Sequence, residues 1–142
     1  MDEKLRQAFY SRVEQEPFAK KFGMKLVEIG DGYSRVEMKF SPDMENLFGM
    51  AHGGTIFALI DEAFETASNS HGTLAVALNM NLTFFASPQR GCTMTAEAVE
   101  INLTRKTATY EIKVRGEDGA LFAACQALVY RKGNPLPFEE LD

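Results

Sequence analysis

Asp61, His52, Gly53 and Gly54 are the residues whose types and spacing could do chemistry in this chain. From Gly53 onward, Ile56, Phe57, Leu59, Ile60, Ala63, Phe64 and Ala67 recur at the three-and-four spacing that gathers apolar side chains into one helical stripe. Thr55, Glu62, Glu65 and Thr66 fall on the far side, so Glu62 and Glu65 read as solvated charges. Asp61 falls on the border, one turn from Phe57 and one from Phe64. A carboxylate beside two phenylalanines is partly desolvated, which raises its pKa and makes it a stronger base than a surface aspartate. A boundary carboxylate that simply reaches water fits the same pattern. His52-Gly53-Gly54 starts the helix without Ser, Thr, Asp or Asn at the cap position, so no side chain is expected to cap the first-turn N–H groups. Glycine permits close approach of a carbonyl, and the positive end of the helix dipole favours an oxygen that gains negative charge. The two glycines could equally serve only as a tight turn into the helix.

Spacing adds a constraint. Gly53 and Asp61 are eight residues apart, hence about 12 Å along a single helix axis. A donor and a base acting on one carbonyl each work at about 3 Å, so one small group cannot touch both. If both serve one site, the second comes from another copy of the helix. Two such helices running antiparallel about a two-fold axis place Gly53 of one copy beside Asp61 of the other, with two equivalent sites per dimer.

Other chemistries find little support. No G-x-S-x-G elbow or G-x-x-x-x-G-K phosphate loop occurs, and His52 and His71 have no partner pattern for a serine or cysteine nucleophile. The two histidines and two well-separated cysteines argue against a metal site, and Cys92 and Cys125, set in strand-like sequence, read as buried reduced thiols. A net charge of -5 without a basic, aromatic-interleaved face argues against nucleic acid as a partner. The N-terminal MDEKLRQAFY carries charges where a signal peptide needs an apolar core, and no apolar run approaches about 18 residues. The expectation is a cytoplasmic protein with no membrane partner. Its 142 residues, 45% apolar and 25% charged, suit one domain spanning 1–142.

The elements that must position Asp61 and Gly53 are legible in the same pattern. Leu5, Ala8, Phe9 and Val13 share one side of a short helix, Pro17 opens a second turn through Phe22, and Gly23 stops it, giving an N-terminal helical segment over 1–22. Strand-like runs follow at 24–29 and 33–40, joined by Gly30-Asp31-Gly32. Residues 41–51 form a loop that carries Asn46 to the helix. After a polar stop at 69–72, residues 74–85 place Val76, Leu78, Met80, Leu82 and Phe84 on one face and Asn79, Asn81 and Thr83 on the other. Three further strands are expected at 93–103, 107–114 and 121–130, and an irregular tail from Gly133 to the end, 133–142. The fold class is therefore α+β, with about six antiparallel strands and one long helix covered by the sheet.

The run N-x-x-G-x-x-H-G-G-x-x-x-x-L-x-D-x-A, present as Asn46, Gly49, His52, Gly53, Gly54, Leu59, Asp61 and Ala63, resembles the hotdog-fold acyl-CoA thioesterases of the phenylacetate-degradation type. The likeness extends across nearly the whole chain. It implies a hotdog fold, a sheet wrapped around one central helix with short N-terminal helices, and hydrolysis of an acyl-CoA thioester in a site shared between subunits. Asp61 would be base or nucleophile and the Gly53 N–H the oxyanion donor, with Asn46 and His52 arranging the thioester. Read without the resemblance, His52 is an ordinary loop histidine and Asn46 a turn residue. Gly54, Asn79, Phe57 and Phe64 would line the substrate site, while Arg90 in the turn SPQRG and Arg105-Lys106 in a later turn would contact the coenzyme A phosphates. Coenzyme A is part of the substrate, so no separate cofactor is expected. The partner is a second copy of the chain, often within a dimer of dimers. Two positions depart from the family pattern: Cys92 replaces an acidic residue, and Ala77 or Asn79 stands where some relatives carry Ser or Thr. A non-catalytic acyl-CoA-binding regulatory domain and a hotdog acyl-thioester dehydratase are the competing readings.

Overall fold

The computed structural model describes residues 1–138. Two helices, α1 (Glu3–Gln15) and α2 (Pro17–Phe22), lead into strands β1 (Lys25–Gly30) and β2 (Tyr33–Lys39). Asp2 caps α1 by accepting from the Leu5 N–H at 2.8 Å, and Gly23, at φ 65°, ends α2 in the left-handed region that glycine favours. A 3-10 turn (Pro42–Met44) and a loop then deliver the chain to α3 (Gly53–Asn69). Strands β3 (Thr73–Phe84), β4 (Thr93–Leu103), β5 (Thr107–Arg115) and β6 (Leu121–Pro135) complete a six-stranded sheet in the order β1-β2-β4-β5-β6-β3, antiparallel throughout. Helix α3 packs on all six strands, which is the hotdog arrangement the resemblance implied.

Fully buried Leu59, Ile60, Ala63 and Phe64 of α3 share one core with Ala96 and Ala98 of β4 and Tyr110, Ile112 and Val114 of β5. Small side chains on β4 leave room for the helix to lie close to the sheet. Polar pins hold its length. Ser34 donates to the Ala63 carbonyl at 2.6 Å and Thr66 donates to Ser34 at 2.9 Å, while Asn69 exchanges hydrogen bonds with the Ala75 backbone at 2.8 and 3.2 Å. Ser70 accepts from the Gly32 N–H at 2.7 Å, tying the end of α3 to the first hairpin.

Four expectations change. Thr55, Glu62 and Thr66, placed on a solvated face by periodicity, are buried, because β2 meets one side of α3 and residues of α1 and α2 stand over another. Phe57, assigned to the core stripe, is 39% exposed. In β3 the pairing register slips between Ala77 and Asn79, and such a bulge reverses the inward-outward alternation, so Val76 falls out of phase with Met80, Leu82 and Phe84. The tail expected from Gly133 begins later, since Gly133 to Pro135 continue β6 and Pro135 pairs with Thr73. Of the remaining tail, residues 139–142 lie outside those described.

Replacing fully buried Leu59 tests this packing. Leu59→Ala is expected to lower the unfolding free energy by about 2–5 kcal/mol, read as a reduced urea midpoint with an unchanged slope.

Candidate active site

The loop before α3 is built on Asn46. Its Oδ1 accepts from the N–H groups of Phe48 at 2.8 Å and Met50 at 3.0 Å, and its own N–H donates to the Met50 carbonyl at 2.7 Å. Gly49 turns the chain at φ 76°, where a Cβ would also stand 3.0 Å from an Arg90 guanidinium nitrogen. Arg90 pairs with Glu45 at 2.7 Å and donates to the Gly49 carbonyl at 3.4 Å. Asn46 thus organises the turn, and Arg90 buckles the loop to the sheet.

The first turn of α3 is capped, contrary to expectation. His52 Nδ1 accepts from the Gly54 N–H at 2.9 Å, so the imidazole does what Ser or Asp usually does at this position. The N–H groups of Thr55 and Ile56 close on the His52 carbonyl. Among the described residues, no acceptor engages the Gly53 N–H. The Phe84 ring lies over Gly53, with its tip 3.2 Å from where a Cβ would sit.

Eight residues further on, Asp61 is half-buried and its carboxyl lies above its ordinary pKa, first because burial disfavours the charge and then because Glu16 is near. Gly54, Phe57 and Glu65 are exposed and Gly53 and Asp61 half-exposed, while the rest of α3 is buried. Their spacing makes them a single open stripe along the helix. Around it, Leu47 is 98% and Phe48 81% exposed, and Leu78, Phe84 and Phe85 also face outward. Strand β3 is a sheet edge.

Asp61 and Phe64 line a cavity of about 730 Å³ between α3, the N-terminal helices and the start of β3. Periodicity missed most of this cavity's chemistry. Glu62 and Glu65 face it together with Glu16, and one carboxylate oxygen from each of the three lies within 4.8 Å of the others. Burial and the neighbouring acids raise the pKa of both Glu62 and Glu65. Glu65 keeps contact with solvent, as expected of it, while Glu62 does not. The helical positions of Glu62 and Glu65 hinted at a pair; Glu16, 46 positions before Glu62, gave no signal.

The other candidates are dispersed. Asn79 is exposed just after the β3 bulge, opposite Leu128. Arg105 and Lys106 are exposed in the β4–β5 turn, with the Lys106 carbonyl accepting from Arg131 at 2.7 Å. Thr107 is level with Tyr130 and Tyr130 with Val76, which puts this turn at the Val76 end of the sheet, whereas Arg90 sits at the Gly53 end. Cys125 is buried and Cys92 half-buried, and both are free thiols.

The six-stranded sheet, its central helix and the His52-Gly53 helix start define a member of the thioesterase superfamily. The chain belongs to that family, whose profile matches residues 48–123. It is 40% identical over 113 residues to a protein described as a putative esterase from Archaeoglobus fulgidus, covering 80% of this chain and 73% of that one. It is 29% identical over 139 residues to the acyl-coenzyme A thioesterase PaaI of Escherichia coli, covering 98% of this chain and 99% of that one. The solved structure of that E. coli protein superposes with a TM-score of 0.88, covering 93% of this chain and 96% of the other at 29% identity. A mutant of the phenylacetic acid degradation protein PaaI from Thermus thermophilus gives a TM-score of 0.78 at 40% identity, over 82% and 99% of the two chains. The chain is an enzyme of the thioesterase class.

Asn46→Ala removes the acceptor for two amides, so hydrogen exchange at Phe48 and Met50 is expected to accelerate at least tenfold while the α3 interior amides stay protected. Unchanged exchange at both amides would show that the turn holds without Asn46.

Proposed function

We propose that this protein hydrolyses acyl-CoA thioesters in two sites completed across a homodimer, with Asp61 as the base or nucleophile and the Gly53 N–H as the oxyanion donor. The observation that carries this reading is the open stripe on an otherwise buried helix. It contains both Gly53 and Asp61, and Phe57 lies midway between those two. A two-fold axis passing near Phe57 sets Gly53 of one copy against Asp61 of the other and covers the exposed Phe57 pair. The same operation can join two β3 edges and bury Leu47, Phe48 and Leu78, which in a lone chain would leave a broad apolar patch in water. The coenzyme A substrate is supported by the E. coli acyl-coenzyme A thioesterase, which matches almost end to end.

In such a site the thioester carbonyl oxygen accepts from the Gly53 N–H at the positive end of α3, where charge developing on oxygen is stabilised. The Asp61 carboxylate then either takes a proton from water as it attacks the carbonyl carbon, or attacks that carbon itself to give an anhydride that water opens. Both routes release the coenzyme A thiol and the free acid. His52 holds the glycine turn through its cap bond, and Asn46 and Gly54 shape the rim. In this reading Asn79, Phe57 and Phe64 contact the acyl group, and Arg90, Arg105 and Lys106 reach the phosphates from the two ends of the sheet. No described helix is long and apolar enough to cross a membrane. Free Cys92 and Cys125 suit a reducing compartment such as the cytoplasm.

Asp61→Asn is nearly isosteric and is expected to lower thiol release from acyl-CoA by about 10²–10⁴-fold with an unchanged circular dichroism spectrum. The base works deprotonated, so a raised pKa moves the acidic limb of kcat/KM above the ordinary aspartate value of 3.8, and activity falls as pH drops through it. A folded Asp61→Asn enzyme with near-normal turnover would sink the assignment.

The shared site is tested by mixing two inactive variants. Gly53 is the first residue of α3, where the proline backbone suits the helix, so Gly53→Pro removes the N–H once the Phe84 ring, 3.2 Å from the Cβ position, shifts aside. In a mixed dimer of Asp61→Asn with Gly53→Pro, one site carries both defects and the other neither. Activity should therefore return to a fraction of wild type after subunit exchange. Mixed dimers that form, remain folded and stay inactive would exclude a site completed in trans.

A further inference from the structure

We propose that Glu16, Glu62 and Glu65 form a binding site for a hard divalent cation, of the Ca²⁺ or Mn²⁺ type, between the α1–α2 junction and the outer side of α3. This site adjoins the residues assigned to thioester chemistry but uses none of them.

Geometry supplies the first argument. One oxygen from each carboxylate lies within 4.8 Å of the other two. Ca²⁺ holds carboxylate oxygens at about 2.3–2.6 Å, so one ion can bridge oxygens this close together. The donor set contains no His or Cys, which disfavours zinc and copper and suits an oxygen-seeking ion. Glu65 is exposed, so the site has a path from solvent and room for water ligands.

The surroundings of Glu62 point the same way. Glu62 is only 3% exposed, it faces the cavity, and its Oε1 has no hydrogen-bond partner among the described residues. A buried carboxylate oxygen without a partner is strongly unfavourable. Polar neighbours on the same helix are engaged elsewhere: Thr66 donates to Ser34 and to the Glu62 and Ala63 carbonyls, Ser68 to the Glu65 carbonyl, and Asn69 to the Glu65 and Ala75 carbonyls. On the opposite wall Arg12 places its guanidinium 5.2 Å from the Phe138 ring centre and donates to the Pro137 carbonyl at 3.4 Å. Glu16 and Glu65 both act on Glu62 as like charges, and Glu16 and Asp61 do so on Glu65. A dication offsets this accumulation and supplies the buried Glu62 carboxylate with a partner.

The experiment uses the whole wild-type chain stripped with a chelator, at pH 8 and fixed ionic strength, without thioester. It therefore stands or falls separately from the thioesterase assignment. Mn²⁺ added to the protein should lose its free-ion electron paramagnetic resonance signal with a stoichiometry of one ion per chain. Ca²⁺ should compete for the same site and raise Tm. Glu62→Gln and Glu16→Gln should each weaken Mn²⁺ binding at least tenfold and abolish the Ca²⁺-dependent rise in Tm. Glu65→Gln, at an exposed position, tests the same ligand set if Glu62→Gln fails to fold. Absence of Mn²⁺ binding at millimolar concentration overturns the proposal, and so does binding that all folded variants retain. A wild-type Tm indifferent to Ca²⁺, with Glu62→Gln more stable than wild type, overturns it as well and shows that shared protons alone compensate the cluster.

Discussion

Enclosure of α3 is the constraint on which the rest of this structure depends. A helix that packs on six strands and faces the N-terminal helices across a cavity cannot be amphipathic in the ordinary sense, since most of its residues are buried. Its polar residues must then be matched inside the protein. Thr66 is matched by Ser34 and its own helix carbonyls, Asn69 by Ala75, and Ser70 by Gly32. These bonds also fix the rotation and height of α3 against β2, β3 and the first hairpin, which decides where the open stripe faces.

Adjacent carboxylates show how finely that rotation acts. Asp61 and Glu62 are neighbours in sequence, yet one opens onto the stripe between Phe57 and Glu65 and the other turns beneath the N-terminal helices. Burial raises the pKa of both. For Asp61 the consequence is a half-open carboxyl that holds its proton more tightly than a surface aspartate does. For Glu62 it is a charge that needs a proton or a cation. Both consequences follow from the same helix surface, displaced by one residue or about 100°.

Scaffold and chemistry are also fused at the start of α3. Asn46 spends its oxygen on two loop amides, Arg90 on Glu45 and Gly49, and His52 on Gly54. What the loop achieves by these bonds is a fixed helix start from which the Gly53 N–H emerges with no acceptor among the described residues. Glycine suits position 53 because Phe84 crowds the place a Cβ would take.

Sequence alone determined the six strands, the long helix and its limits, because apolar periodicity and glycine punctuation are local signals that each segment carries by itself. It also singled out Asp61 and Gly53, since a carboxylate at the edge of an apolar stripe and a glycine pair at a helix start are local as well. Tertiary structure decided which sides of α3 are covered. Two-sided burial leaves no period to read, so Glu62 and Thr66 looked solvated and Phe57 looked internal. Bonds such as His52 to Gly54 depend on a rotamer, and the convergence of Glu16 on Glu62 joins residues 46 positions apart. The β3 bulge shifted a correct strand out of phase because one extra residue is invisible to an alternating pattern until the partner strand sets the register.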